Sequence, residues 1–242
     1  MQIIIGGHSD IGASRPTNQD SLFIKLADYD KSQICIGVVC DGVGGLQDGE
    51  LASVVSTLFI RSWFDRMLRE PCKDTEHLQQ GLLDYMYRVN QEITLYSRKH
   101  NISTGTTVSV IIILGKRFFI VHIGDSRIYK VDSGVYQLTV DHTTTQLRNR
   151  DGVMVPKKLL TQCVGYRDEL SIFCSDGWVK KDEVYLLCSD GFYDKMQESE
   201  IIAKVKKINA KTNIDAVAQG LISHIIKCKE NDNVSLGIIK LI

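Results

Sequence analysis

The sequence predicts an α+β fold built in layers, and three observations predict it. Short segments rich in Ile, Val, Phe and Tyr come in runs, a pair of helical segments interrupts them early, and a second helical pair stands before the last strand. Such segregation differs from the strict strand-helix alternation of a doubly wound sheet. Strands are expected at 2–6, 21–26, 34–40, 106–114, 118–123, 127–131, 135–139, 170–174, 183–188 and 234–239. In the second helical segment, about 74–99, Leu78, Leu82, Tyr85, Val89, Ile93 and Tyr96 recur at steps of three and four and paint one apolar stripe. In the first, 49–69, apolar positions cover most of the circumference, which predicts a helix packed on both sides. The later pair is expected at 198–208 and 214–227. With three prolines, no low-complexity linker and no charge block, residues 1–242 read as a single domain.

Composition narrows the function. A chain of 242 residues can bury a full core, and Lys+Arg 29 against Asp+Glu 29 leaves no net field for gripping nucleic acid or an anionic membrane surface. The longest apolar stretch, 108–114, is far below the roughly 18–20 residues that span a bilayer. The N-terminal residues lack a basic region and a long apolar stretch, so no signal peptide is expected. Seven cysteines without a Cys-x-x-Cys read as reduced core residues of a cytoplasmic protein.

The informative pattern is what stands at the strand ends. Segment 34–40 ends in Asp41-Gly42, 118–123 in Gly124-Asp125-Ser126 and 183–188 in Ser189-Asp190-Gly191, while Asn231-Asp232-Asn233 opens 234–239. A lone Asp-Gly is usually a hairpin turn. After Asp41 and Asp190, however, the chain runs towards helical segments, and a turn of that kind builds sites. Cys174-Ser175-Asp176-Gly177 repeats the tetrad Cys188-Ser189-Asp190-Gly191 but leads into Trp178-Val179-Lys180, so Asp176 reads as a hairpin.

Clustered strand-end aspartates imply a hard cation such as Mg²⁺ or Mn²⁺, which relieves their repulsion. No His spacing suits zinc. Arg15, in Ser14-Arg15-Pro16-Thr17-Asn18-Gln19-Asp20, is a bidentate clamp for a phosphate if it lies beside that cluster, and an ordinary solvated loop residue if not. Other features read as structural. Trp63 and Trp178 are taken as core and hairpin residues, His122 as a satisfied core group, Lys204, Lys206 and Lys207 as a solvated helix face, and 103–107 as packing beneath the site.

Taken in order, Arg15-x-x-Asn18-Gln19-Asp20, Asp41-Gly42-Val43-Gly44-Gly45 with Gly49-Glu50-Leu51-Ala52-Ser53, Ser103-Thr104-Gly105-Thr106-Thr107, Gly124-Asp125-Ser126-Arg127, Thr139-x-Asp141-His142, Cys188-Ser189-Asp190-Gly191 and Asp232-Asn233-Val234-Ser235 resemble the PPM (type 2C) metal-dependent protein serine/threonine phosphatases, above all their compact bacterial members. The resemblance implies a four-layer α-β-β-α sandwich with two central antiparallel sheets and the metals at one end. It implies that Asp41 bridges two metal ions, that the Gly42 carbonyl binds one, that Asp190 and Asp232 complete the direct ligands and that Asp20 acts through water. Asp125 would hold a third, weaker ion with Asp190, and Arg15 would bind phosphate. Hydrolysis would be direct attack of a water bridging two Mg²⁺ or Mn²⁺ ions on phosphoserine or phosphothreonine. The implied partners are phosphoprotein substrates and an opposing serine/threonine kinase, with no nucleic acid and no membrane, and a monomeric state is expected.

The chain departs from the family pattern at Gln19, where many members have Glu, and at Val43, where animal members carry a His able to act as general acid. The segment corresponding to the family's flap, between His142 and the strand at 183, looks short. Two other functions compete: an inactive phosphatase-like module that only binds phosphoproteins or kinases, and a hydrolase of small phosphate esters. The presence of Asp41, Asp190 and Asp232 together argues against the first.

Overall fold

A computed structural model describes residues 1–30, 32–43, 46–70, 74–150, 153–228 and 230–242. Gly44 and Gly45 of the glycine-rich motif, and Cys72, lie outside the described residues. The chain opens with β1 (Ile3–Asp10), β2 (Asp20–Tyr29) and β3 (Ser32–Asp41), followed by α1 (Gly49–Met67) and α2 (Thr75–His100). Next come β4 (Val108–Leu114), β5 (Arg117–Ile123), β6 (Arg127–Val131), β7 (Val135–Gln137), β8 (Thr143–Arg150), β9 (Val153–Leu160), β10 (Phe173–Trp178) and β11 (Val184–Cys188). The chain then forms α3 (Asp190–Tyr193), α4 (Glu198–Val205), α5 (Ile214–Lys227) and β12 (Val234–Leu241).

Two antiparallel sheets have the orders β1-β12-β11-β6-β7 and β10-β5-β4-β3-β2, and β8 pairs with β9 alone. Strand periodicity explains the layers. On β3, Ile34, Ile36, Val38 and Cys40 point towards Ile60, Phe64, Leu82 and Met86 of α1 and α2. The alternate residues Cys35 and Val39 pack with Tyr185, Leu187 and Ile239 between the sheets. Leu186, Cys188, Leu236 and Ile238 turn the other way, onto Ala218, Leu221, Ile222 and Ile225 of α5. The result is the α-β-β-α sandwich. A strand covered on both faces must be apolar at every position, which is why 34–40 reads as a continuous run. Fully buried Ile36 and Val38 each contribute on the order of 1.5–3 kcal/mol.

Helix α2 starts where Asp74 accepts the His77 backbone N–H at 2.8 Å, and it ends at Asn101 in the left-handed region. Helix α1 departs from expectation. It buries Ile60, Trp63 and Phe64, but Leu51, Val54 and Leu58 form an exposed stripe, so it packs on one side only.

Three further expectations are corrected. Asp176 is not in a hairpin turn; it lies within β10, opposite Phe119 of β5, and pairs with Arg117. Gly177 is there for close packing, since a Cβ would stand 2.7 Å from the Phe118 ring. The strand expected at 170–174 is accordingly shifted to Phe173–Trp178, with Leu170 and Ile172 packed against the helix-side core, and Trp178 is 65% exposed under the Arg117 guanidinium. Cys35, Cys40, Cys163 and Cys188 are buried as expected, but Cys174 and Cys228 are exposed; all are free thiols. The hairpin of β8 and β9 was not expected. Its polar Thr143-Thr144-Thr145-Gln146 and the Pro156 in β9 hide it from a search for apolar alternation.

Candidate metal centre

Antiparallel pairing gathers the strand-end carboxylates. Asp20, first residue of β2, stands opposite Asp41, last of β3. Cys188 of β11 pairs with Leu236 of β12, which places Asp190 and Asp232 side by side at the same end, and the β5–β6 turn brings Asp125 there. The structure therefore brings Asp20, Asp41, Gly42, Asp125, Asp190 and Asp232 together. Arg15 joins them from the β1–β2 loop, donating to Asp232 Oδ2 at 2.7 Å.

Each group is positioned by neighbours. The Asp41 backbone is clamped: its N–H donates to Thr107 Oγ1 (2.9 Å), and its carbonyl accepts from the Thr107 N–H (2.8 Å) and the Thr106 hydroxyl (2.9 Å). Segment 103–107 thus does lie beneath the site. Ser189 donates to Asp20 Oδ2 at 2.7 Å, and Asn233 donates to the carbonyls of Ile11 and Thr17, tying the Arg15 loop to β12. His142 Nδ1 accepts the Gly124 N–H at 3.0 Å, and Gly124 has a φ of 111°, a left-handed conformation natural to glycine that aims Asp125 inward. Behind it, His122 is satisfied by Ser109 and by donation to the Val140 carbonyl, and burial pushes its pKa down to about 4, so it stays neutral. The supporting roles of Ser189, Asn233 and His142 had no signal in spacing or hydropathy.

The electrostatics are those of a cation site. Burial first, and then the charges of Asp20, Asp190, Asp125 and Asp232, raise the Asp41 carboxyl well above the usual carboxylate range. Burial pushes Asp190 up to about 7, with Asp125 and Asp232 adding to it. Asp20 rises to about 6 through burial, against the lowering effect of hydrogen bonds from Ser235 and Ser189. Asp20 Oδ1 is buried without any hydrogen-bond partner. Among the described residues no three acidic, His or Cys side chains cage an ion by themselves. Mg²⁺ and Mn²⁺ take one or two carboxylates and complete their coordination with waters. The all-oxygen donor set and the orphaned Asp20 oxygen fit such an ion.

Gly42 is confined by contact. A Cβ there would stand 2.5 Å from the Gly49 carbonyl oxygen, and the Gln19 side chain closes the other side. Gly42→Ala is expected to lower stability by about 1–3 kcal/mol and to weaken Mn²⁺ binding, because relief of the clash displaces Asp41. Thermal unfolding with and without Mn²⁺ checks both, and an unchanged Mn²⁺ response would show that the contact does not govern the site.

Fold and site together define a metal-dependent protein phosphatase, a hydrolase. The family model for protein phosphatase 2C matches residues 7–219, and the chain belongs to this family. It is 28% identical over 174 residues to protein phosphatase PhpP of Streptococcus pneumoniae serotype 2, covering 67% of this chain and 68% of PhpP. Its fold is similar to serine/threonine phosphatase Stp1 from Staphylococcus aureus (TM-score 0.82, 22% identity, 100% and 96% of the two chains). It is also similar to the catalytic domain of serine threonine protein phosphatase PstP in complex with two manganese ions (TM-score 0.77, 23% identity, 99% and 98%).

Proposed function

We propose that this chain hydrolyses phosphoserine and phosphothreonine on proteins, using two divalent ions held by Asp41, Asp190, Asp232 and the Gly42 carbonyl. The observation that carries this reading is the set of buried carboxylates with unmatched charge facing Arg15 at one end of the paired sheets. When bound, Mg²⁺ or Mn²⁺ supplies an acidified water nucleophile and positive charge for the phosphoryl oxygens. Arg15 spends one amino group on Asp232 and keeps its remaining N–H donors for those oxygens. The Thr106 and Thr107 clamp fixes Asp41 before substrate arrives, so its orientation costs little during the reaction. Val43 holds the place of a general-acid His, so the leaving oxygen would take its proton from solvent or from a water that a bound ion would hold. Asp20 acts through water, and Asp125 with Asp190 holds a third, weaker ion.

The same reading makes the chain a monomeric cytoplasmic enzyme opposing a serine/threonine kinase; among the described residues no helix is long and apolar enough to cross a membrane. The test is phosphate release from a phosphothreonine peptide. Turnover is expected with Mn²⁺, none with EDTA, and Asp190→Asn should lose at least about 100-fold in kcat/KM. A folded protein that is inert across Mg²⁺ and Mn²⁺ concentrations would instead be a phosphoprotein-binding module. Turnover of small phosphate esters without turnover of the peptide would point to a metabolite hydrolase.

A further inference from the structure

At the end of the paired sheets away from the aspartates, a cavity of about 380 Å³ lies between the β10–β11 turn and the C-terminal end of α4. That volume falls in the range of small-molecule sites. Strand β11 leads from Val184, in the cavity wall, towards Asp190, and β12 leads from Asp232 back to Lys240, so the cavity and the metal centre share no residue. Val131, Val184, Val205 and Ile208 give it apolar walls, and Lys180, Lys181, Lys206 and Lys240 line it as well. Lys206, one of the lysines that the sequence assigns to a solvated helix face, thus has a cavity beside it.

Lys240 is out of character for its place. Side chains alternate across β12, and Val234, Leu236 and Ile238 pack towards α5. Lys240 is next in that register, opposite Ile4 of β1 and Val184 of β11, so a lysine takes a core-facing position and is only 6% exposed. Its Nζ donates to the Asp182 carbonyl at 2.6 Å, and among the described residues no carboxylate forms an ion pair with it. An ammonium so sheltered, held by one carbonyl, has donors to spare and lacks the counter-charge that a buried cation requires.

The protein's own carboxylates do not supply it. Buried Glu183 accepts from the Tyr185 hydroxyl at 2.9 Å and from the Lys180 backbone N–H at 2.8 Å, and Lys130 stands 3.7 Å from Glu183 and 3.4 Å from Asp132. Only Asp182 remains, while Lys180, Lys181 and Lys206 form no ion pair among the described residues. With Lys130 included, five ammonium groups meet three carboxylates, an excess of two positive charges in a chain whose net charge is zero. A phosphate monoester carries about −1.5 to −2 at neutral pH and matches that excess.

We propose that this cavity binds a small phosphate monoester, its phosphoryl group on Lys240, Lys181 and Lys206 and its organic part against Val205 and Ile208. Lysines serve phosphate as point charges, without the fork geometry of arginine. The site is distinct from the metal centre, and its occupancy needs no bound metal.

The test titrates the full chain in EDTA, so that no metal-dependent turnover consumes the probe, with phenyl phosphate and with inorganic phosphate, read by amide chemical shifts in NMR spectra. Phenyl phosphate should move the amides of Lys181, Lys206 and Lys240 saturably and at lower concentration than inorganic phosphate. Lys240→Met keeps the apolar stem and should weaken binding at least about tenfold. Lys206→Gln, at an exposed position that leaves the fold intact, should weaken it by about threefold. Arg15→Gln should leave these shifts unchanged, which separates the cavity from phosphate held at the metal end. Shifts confined to the surroundings of Arg15, an affinity untouched by either lysine substitution, or the same shifts with sodium chloride at matched ionic strength would overturn the proposal. Inorganic phosphate binding as tightly as phenyl phosphate would overturn the assignment to an ester.

Discussion

Asp41→Asn is expected to abolish phosphate release and, in the same protein, to make the metal-free fold harder to unfold. The two effects share one cause. The Asp41 carboxyl sits among Asp20, Asp190, Asp125 and Asp232, and both burial and those charges disfavour its ionised form. An amide of the same shape carries no charge and turns one oxygen into a donor facing the neighbouring carboxylates, so repulsion becomes attraction. Replacing a buried, unmatched charge by a neutral isostere stabilises by about 1–4 kcal/mol in comparable settings. If Asp41 holds both divalent ions as proposed, the substitution would remove a shared ligand, and kcat/KM should fall by about a thousandfold or more, equivalent to roughly 4 kcal/mol of transition-state stabilisation. Urea unfolding in EDTA, the Tm gain on adding Mn²⁺, and phosphopeptide turnover measure the three quantities. A variant less stable than the parent in EDTA, or one that keeps its Mn²⁺-induced Tm gain, would contradict the assignment of Asp41.

That inversion shows why the site was legible before the fold was built. An apolar strand ending in a carboxylate is a local signal, and antiparallel pairing then makes local signals converge: Asp20 meets Asp41 because β2 and β3 pair in register, and Asp190 meets Asp232 because β11 and β12 do. The helices of the outer layers were equally local, set by a 3.6-residue stripe. What sequence alone misjudged depends on contacts distant in the chain. Asp176-Gly177 carries turn chemistry, yet the Phe118 ring and the Arg117 guanidinium make it a strand. The apolar circumference of α1 suggested two packed faces, whereas Leu51, Val54 and Leu58 meet none. The β8–β9 hairpin lies in the segment that looked short, and its strands pair only with each other, the first of them polar along most of its length. Polar groups such as Asn233 and His142 act through single hydrogen bonds to backbone far off in sequence, which no periodicity encodes.

Stability in the absence of metal is expected to fall as pH rises from 6.5 to 8. Asp20 and Asp190 are pushed up to about 6 and about 7, and Asp41 is raised well above the usual carboxylate range, whereas in the unfolded chain all three return to the ordinary carboxylate value near 3.9. Between those values the folded state binds more protons than the unfolded state, so folding stability declines with increasing pH. It is fully present below about 3.9 and is lost as pH passes through the raised values. His122 acts with the opposite sign: buried neutral, with its pKa pushed down to about 4, it adds stability as pH climbs towards 6.5. The two trends oppose each other below that point. Above it the unfolded His is at least half neutral and its contribution fades, while Asp190, pushed up to about 7, goes on losing its proton. In that window deprotonation of Asp190 should cost the metal-free protein about 1 kcal/mol, or roughly 2–4 degrees in Tm for a chain of this size. With saturating Mn²⁺ the same deprotonations create the ligands, so the slope should vanish or change sign. Tm at pH 6.5 and 8, in EDTA and in Mn²⁺, decides the matter, and Asp41→Asn should flatten the EDTA slope. A flat EDTA profile in the unmodified chain would mean that these carboxylates do not repel one another, and the cation site would lose its physical basis.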